Sequence, residues 1–416
     1  MQITDLFNLG NSTLRLGLIR EGKIPLDRRV ALNPQQAAYL EQQHQEDLSI
    51  WVETSDIRCF TDSEYRAAGL QIAAPQDMDQ CDILFGIKEV PENQLIEKKT
   101  YFFFSHTSKK QPYNRRLLQT ILDKKIRLID YEFLVDDQNR RLIGFGVFAG
   151  NVGAHYALMM LGKRRSAFDL APAWQWRWKS RMLNAYSGLS IPPERIVVTG
   201  KGRVSQGVVE VLNAAGIYQV KPDEFLRSAF DMPVYTILDA QQLYRRTDGH
   251  SFTNQDFYDH PEAFASNFAP YTRQATMLIN GMFWDHRAPR LFQAHDVQRS
   301  DFSLEIIADI TCDLNGSVPI NIRETTTEQP FYGLNRKTLT EGRSFEDQSI
   351  DMMTISNLPN ELAPDASSYF GKVLSSQIIP ELLYEAASPM LQRATIAQQG
   401  RLTERFSYLE DYVSTD

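Results

Sequence analysis

The tightest constraint on the fold lies at residues 195–220. An apolar run at 196–199 breaks directly into Gly200-Lys-Gly202-Arg-Val-Ser-Gln-Gly207. A stretch of helical period then continues to Ala215 and Gly216, and another short apolar run lies near 218–220. Strand, sharp turn, helix and strand in that order make a βαβ unit, which commits the chain to an α/β architecture with parallel strands. Backbone N–H groups at the start of such a helix sit at the positive end of its dipole, so the turn suits a phosphate. Gly200 permits the turn and Gly202 lets the backbone approach a pyrophosphate. Gly207 is read as relief for close helix–strand packing, because Ser205 holds the place of the third glycine in GxGxxG. The acid expected about 20 residues on is Asp223, which suits the free ribose hydroxyl of NAD. Lys221 beside it suits the 2′-phosphate of NADP, so both cofactors stay open.

The same alternation fills the N-terminal part. Apolar runs at 14–19, 48–52, 83–87, 101–104 and 127–129 read as strands, with 141–148 as a further one. Asn33-Pro34 opens a capped helix, and 152–161 reads as a long apolar helix. Later strands are expected at 234–238, 276–279 and 305–310, with an excursion of helices and loops at 245–273 and a helical region beyond about 345. Trp174, Trp176 and Trp178 read as packing residues in preference to a stacking platform. The expected fold class is α/β, with two Rossmann-like, doubly wound parallel-sheet domains and an interdomain cleft. The first spans 1–160, completed by 345–416, and carries substrate and catalysis; the second spans 161–344 and binds the dinucleotide.

Composition narrows the function. Forty-four Lys and Arg against 52 Asp and Glu leave a net charge of −8 in 416 residues. An acidic chain without a long basic run argues against nucleic acid as the main partner. Three cysteines cannot build a disulfide framework, and none has metal-ligand spacing, so no metal is expected. No apolar run approaches the ~18 residues of a membrane helix. Nothing at the N-terminus resembles a secretory signal, so a cytoplasmic location is expected.

In open α/β sheets, ligands bind outside the carboxyl ends of the strands. Three successive N-terminal strands end in chemically capable residues: Lys88-Glu89, His106, and Tyr131-Glu132. Arg29, in the loop after the first strand, can join them. Such a set holds a base or acid (Lys88, His106), carboxylates that tune them (Glu89, Glu132) and a guanidinium that can fork onto a substrate carboxylate. Each residue alone has an ordinary structural reading, and their recurrence at equivalent strand ends gives them weight. His155, His260 and His295 lack such placement and are read as structural.

Longer runs carry a resemblance. Gly17-Leu-Ile-Arg-Glu and Arg29-Val-Ala-Leu-Asn-Pro34 resemble the opening of the alanine dehydrogenase and saccharopine dehydrogenase superfamily. Gly86-Ile-Lys-Glu-Val-Pro91, Lys99-Thr-Tyr-Phe-Phe-Phe-Ser-His-Thr107, Ile126-Arg-Leu-Ile-Asp-Tyr-Glu132 and Phe145-Gly-Val-Phe-Ala-Gly150 are closer to the lysine-forming saccharopine dehydrogenases and the lysine–ketoglutarate reductase domain. So are Leu278-Ile-Asn-Gly-Met-Phe-Trp284, Ala288-Pro-Arg-Leu291, Ala308-Asp-Ile-Thr-Cys-Asp313 and Asn357-Leu-Pro359. The resemblance spans nearly the whole chain and implies a stand-alone reductase. It implies that Lys88 and His106 form the acid–base pair and that Arg29 and Arg141 hold substrate carboxylates. Glu89 and Glu132 would tune charge and contact the lysine portion. Gly200, Gly202, Arg203 and Val204 would line the cofactor phosphates, and Asp313 would sit beside the nicotinamide near Asn280 and Gly281. Segments 163–190 and 225–275 depart from the family pattern.

The implied reaction condenses L-lysine with 2-oxoglutarate and reduces the imine to saccharopine with NADH or NADPH, or runs in reverse. Lys88 must then have a depressed pKa, through burial or a cationic neighbour, and Glu89 opposes that. The alternatives are an alanine dehydrogenase or another amino-acid or opine dehydrogenase, a transhydrogenase subunit, and a non-catalytic nucleotide-binding protein. The implied partners are small-molecule substrates, with no nucleic acid and no membrane; a homo-oligomer is an open option.

Overall fold

The structure is a computed structural model and describes residues 13–384 and 388–414. It divides into two compact units, one of residues up to 145 with those from 363 onward, the other of residues 146–362.

The first unit is built on β1 (Leu14–Leu18), β2 (Leu48–Glu53), β3 (Gln71–Ala73), β4 (Ile83–Phe85), β5 (Thr100–Phe103) and β6 (Arg127–Asp130). These run parallel in the order β3-β2-β1-β4-β5-β6, the doubly wound order whose switch point lies between β1 and β4. β4 and β5 are buried along their whole length. A parallel strand covered on both faces reads as continuous apolar sequence, as Ile83-Leu-Phe85 does. Two strands from the far end of the chain, β17 (Thr395–Gln398) and β18 (Arg401–Leu402), extend the sheet antiparallel beyond β6. Helix α1 (Pro34–Gln43) starts where expected: the Asn33 side chain accepts from the Gln36 amide, and the Gln36 side chain accepts from the Asn33 amide.

The second unit repeats the plan with a changed order. β7 (Arg195–Thr199), β8 (Tyr218–Gln219), β9 (Val234–Leu238), β12 (Met277–Asn280), β13 (Ile306–Asp309) and β16 (Ser349–Met353) lie parallel as β8-β9-β7-β12-β13-β16. β14 (Tyr332–Asn335) and β15 (Glu341–Gly342) close that edge antiparallel. β10 (Tyr244–Arg246) and β11 (Phe264–Ser266) form a small separate pair inside the 245–273 excursion. Helices α2 (Gly146–Arg165) and α3 (Arg203–Ala214) cross closely. A Cβ on Gly207 would lie 2.0 Å from the Val147 carbonyl oxygen, and one on Gly150 1.9 Å from that of Val204. Gly207 therefore serves helix–helix contact, not the helix–strand packing expected of it.

Three expectations need correction. Residues 141–148 form no strand: Arg141 makes one isolated bridge to Val135, and a helix already begins at Gly146, with Gly150 admitting the close approach of α3. Since α2 packs on α3, residues 146–160 belong with the second unit. The region beyond 345 is not wholly helical, because β16, β17 and β18 complete the edges of the two sheets.

His155 is buried, with Nδ1 2.8 Å from the Tyr186 hydroxyl and Nε2 2.8 Å from the Ala171 carbonyl. Burial brings its pKa down to about 4. This neutral ring ties segment 171–186 to α2. Among the described residues no helix is long and apolar enough to cross a membrane, and no group of three or more His, Cys, Asp or Glu is placed to hold a metal ion.

Candidate functional site

In the first unit the chemistry gathers at the switch point. The chain leaves β1 through Arg20-Glu21-Gly22-Lys23 and leaves β4 through Gly86-Ile87-Lys88-Glu89. The buried Glu21 carboxylate joins the two exits: Oε1 accepts from the Ile87 amide at 2.7 Å and Oε2 from the Lys88 amide at 2.8 Å. Burial, reinforced by the nearby Asp27 charge, pushes Glu21 up to about 8.

Glu89 is the hub of the cluster. Its Oε1 lies 2.7 Å from His106 Nδ1 and its Oε2 2.7 Å from Lys23 Nζ. Burial works to raise its carboxyl, but the hydrogen bonds and charges of His106 and Lys23 prevail and bring it down to about 2. The half-buried Lys88 amine is shifted down, first by burial and then by the Arg29 charge, against the pull of Glu89 and Asp27. The requirement read from sequence, burial or a cationic neighbour acting against Glu89, thus meets both sources. His106 follows β5 with a left-handed backbone, φ 51° and ψ 19°. That conformation costs a non-glycine residue ~1–3 kcal/mol and persists only where neighbours enforce it.

The two arginines are already partnered. Arg29 is 3% exposed, forks onto Asp27 through Nε (2.9 Å) and Nη2 (2.5 Å), and lies over the Phe145 ring. Arg141 Nη2 meets Glu132 Oε1 at 2.5 Å. A cavity of about 310 Å³ opens at the carboxyl ends of β1 and β2, with Arg20, Glu53 and Tyr101 in its wall. Lys88 and His106 do not line it, so the cluster is identified by its chemistry.

In the second unit the carboxyl ends of β7, β12 and β13 carry Thr199, Asn280 and Asp309, all buried. Thr199 Oγ1 donates to Asn280 Oδ1 at 2.6 Å, and Asn280 Nδ2 donates to Asp309 Oδ1 at 2.7 Å and to Ser317 Oγ at 2.9 Å. Asn321 and Thr311 also donate to Asp309. Burial still raises the Asp309 carboxyl despite these bonds. The network ties the strand ends together beneath the glycine turn. Gly200 takes φ +90°, open to glycine at no steric cost. Gly202 caps α3, with nothing within 4 Å of where its Cβ would lie. Val204 stands against Gly281, whose Cβ would come within 2.8 Å of Val204 Cγ1. Turn, helix start, Asn280 and Gly281 are therefore brought together, and Asp313 follows in the turn after β13.

Asp223 stands apart from that group. It lies in the short helix after β8, and β9 separates β8 from β7. The strand beside β7 is β9, and the residue after it is Asp239, paired with Lys201 of the glycine turn. Asp239, and not Asp223, therefore stands beside the glycine turn. Glu21, Lys23, Asp27 and Asp239 were missed from sequence. Glu21 and Lys23 lie in a charged run directly after an apolar strand, a signal that could have found them.

Residues 17–152 match the model of the alanine dehydrogenase/PNT N-terminal domain. The alpha-aminoadipic semialdehyde synthase of Mus musculus, a mitochondrial protein by name, is 33% identical over 416 residues, 87% of this chain. The chain spans 44% of that protein's length. The NAD(+), L-lysine-forming saccharopine dehydrogenase of Neurospora crassa is 25% identical over 86% of this chain and 88% of its own length. A solved L-alanine dehydrogenase shares the fold with a TM-score of 0.65 and 16% identity, covering 96% of this chain and 99% of that one.

Proposed function

We propose that the chain joins L-lysine to 2-oxoglutarate and reduces the product to saccharopine, or runs the reverse; the match of residues 17–152 to the alanine dehydrogenase/PNT N-terminal domain and the similarity to saccharopine dehydrogenases support this reading. The observation that carries this reading is the Lys88–Glu89–His106–Lys23 cluster at the switch point of the first sheet.

The lysine ε-amine must lose a proton before its nitrogen attacks the ketone carbon. The carbinolamine then expels its hydroxyl as water, which needs a proton on that oxygen. The depressed Lys88 amine and the His106 imidazole supply the acid–base pair. His106 commits Nδ1 to Glu89, which leaves Nε2 for proton transfer. Glu89, ionised at all ordinary pH, orients the ring and counters the charge that develops on it. A substrate carboxylate competes with Glu132 for the partly exposed Arg141, while Arg29, held by Asp27, contributes its charge.

The residues of the second unit suit a nicotinamide dinucleotide: a left-handed Gly200, open space at Gly202 and the start of α3. When bound, that cofactor supplies the hydride that reduces the imine carbon. NAD is the favoured form, because the Asp239 carboxylate can accept from free ribose hydroxyls and repels a 2′-phosphate. Lys201, now paired with Asp239, opposes that preference.

A second reading, reductive amination of pyruvate by ammonia, is favoured by the shared alanine dehydrogenase fold. One assay separates them. Purified protein receives lysine with 2-oxoglutarate, or ammonia with pyruvate, each with NADH or NADPH, and nicotinamide absorbance is followed. Oxidation with lysine and 2-oxoglutarate alone supports the proposal; oxidation with pyruvate and ammonia alone replaces it; silence in all four rejects both.

A further inference from the structure

Asp130 is the last residue of β6 and is fully buried. Its hydrogen bonds go to two turns that leave neighbouring strands. Oδ2 accepts from the Ser105 amide at 2.9 Å and from the Ser105 hydroxyl at 2.5 Å. Oδ1 accepts from the Glu132 amide at 2.8 Å. The Ser105 hydroxyl also lies 2.8 Å from that of Thr107. Ser105 and Thr107 flank His106, the residue whose backbone is left-handed.

A buried carboxylate is a costly means of filling space, since an apolar side chain of similar size would pack without desolvating a charge. What it offers is acceptor-only oxygens facing three donors at once. A carboxamide there has a single acceptor oxygen and turns its NH2 toward an N–H or O–H. The charge is thus matched to one task, clamping the β5 turn and the β6 turn in register.

We propose that Asp130 is a positioning residue, which acts through Ser105 to fix the His106 turn so that the ring meets Glu89, and which holds the Glu132 turn beside it. The inference rests on the reading of His106 as half of the acid–base pair. It extends the site by a residue that touches no reacting atom.

The test uses the full chain, ¹⁵N-labelled, with its seven histidines observed through their ring nitrogens. The signal lost in His106→Gln identifies His106. In the parent protein the ring should show a protonated Nδ1, as its bond to Glu89 requires. In Asp130→Asn that signature should give way to the pattern of an unconstrained imidazole. Turnover should fall about 10- to 100-fold, with nucleotide KM within about twofold, because misplacing a catalytic group by an ångström costs on the order of 10²-fold. S105A, which removes the hydroxyl bond alone, should produce a smaller change in the same direction. A folded D130N with unchanged His106 ring signals overturns the proposal. So does a loss of turnover that only tracks the unfolded fraction in a thermal melt. If D130N does not fold, unchanged ring signals in S105A overturn it. If the parent turns over no substrate pair, the function reading fails on its own, and the ring signals still decide the role of Asp130.

Discussion

The two sheets share a plan and differ in what they set at its working edge. In the first unit the carboxyl ends of β1 and β4 present ionisable groups shifted by burial and by charged neighbours: Glu21 pushed up to about 8, Glu89 brought down to about 2, and a lowered Lys88 amine. In the second unit the ends of β7, β12 and β13 present a closed hydroxyl–amide–carboxylate network beneath a glycine turn. In the proposed reaction the first edge moves protons, while the second offers backbone donors and a fixed floor. Similar strand arrangements thus carry different chemistry: the groups of the first edge sit mostly in the loops after the strands, those of the second on the last residues of the strands themselves.

Removing the proton-moving side should have the largest effect. The double variant Lys88→Met, His106→Gln should lower turnover by about 10³-fold or more, at the scale of acid–base contributions. Nucleotide affinity, read by fluorescence titration, should stay within about twofold. A parallel loss of affinity would mean that the two edges are not separable.

Damage to the second unit should do the converse. Gly207→Val forces a side chain onto the Val147 carbonyl oxygen. It should cost at least the ~1–3 kcal/mol of ordinary overpacking, seen as an earlier urea transition with loss of nucleotide binding. Unchanged stability would show that the α2–α3 crossing yields easily.

A narrower test concerns cofactor choice. Asp239→Ser should shift the kcat/KM ratio of NADH to NADPH about tenfold toward NADPH, equivalent to ~1.4 kcal/mol. Asp223→Asn should shift it less than about twofold. The opposite ranking would return the ribose to Asp223.

The last test reads the position of the pH profile and not the size of the rate. The Glu89 charge raises the Lys88 pKa, so Glu89→Gln removes that support and lowers it further. A base works when neutral, so the rising limb of kcat/KM should move to lower pH. Movement to higher pH would remove Lys88 as the group behind that limb.

Much of this was legible beforehand. Runs such as Ile83-Leu-Phe85 and Tyr101-Phe-Phe103 are apolar throughout because both faces are covered, and that property is local. Lys88, Glu89, His106 and Glu132 stand out in the sequence because each lies shortly after such a run. The glycine turn was legible for the same reason: a strand, a left-handed position and a helix start are neighbours along the chain.

What escaped depends on partners distant in sequence. Glu21 acts on Ile87 and Lys88, 66 and 67 residues away, across the switch point. Counting residues along the chain points to Asp223, but the strand beside β7 is selected by hydrogen bonding. β9, buried along most of its length, takes that place, while the two exposed residues of β8 are left at the edge. Backbone conformation and apolar burial within one element are encoded close at hand. Strand order, and with it the company each charged side chain keeps, emerges only when separate elements compete for the same core.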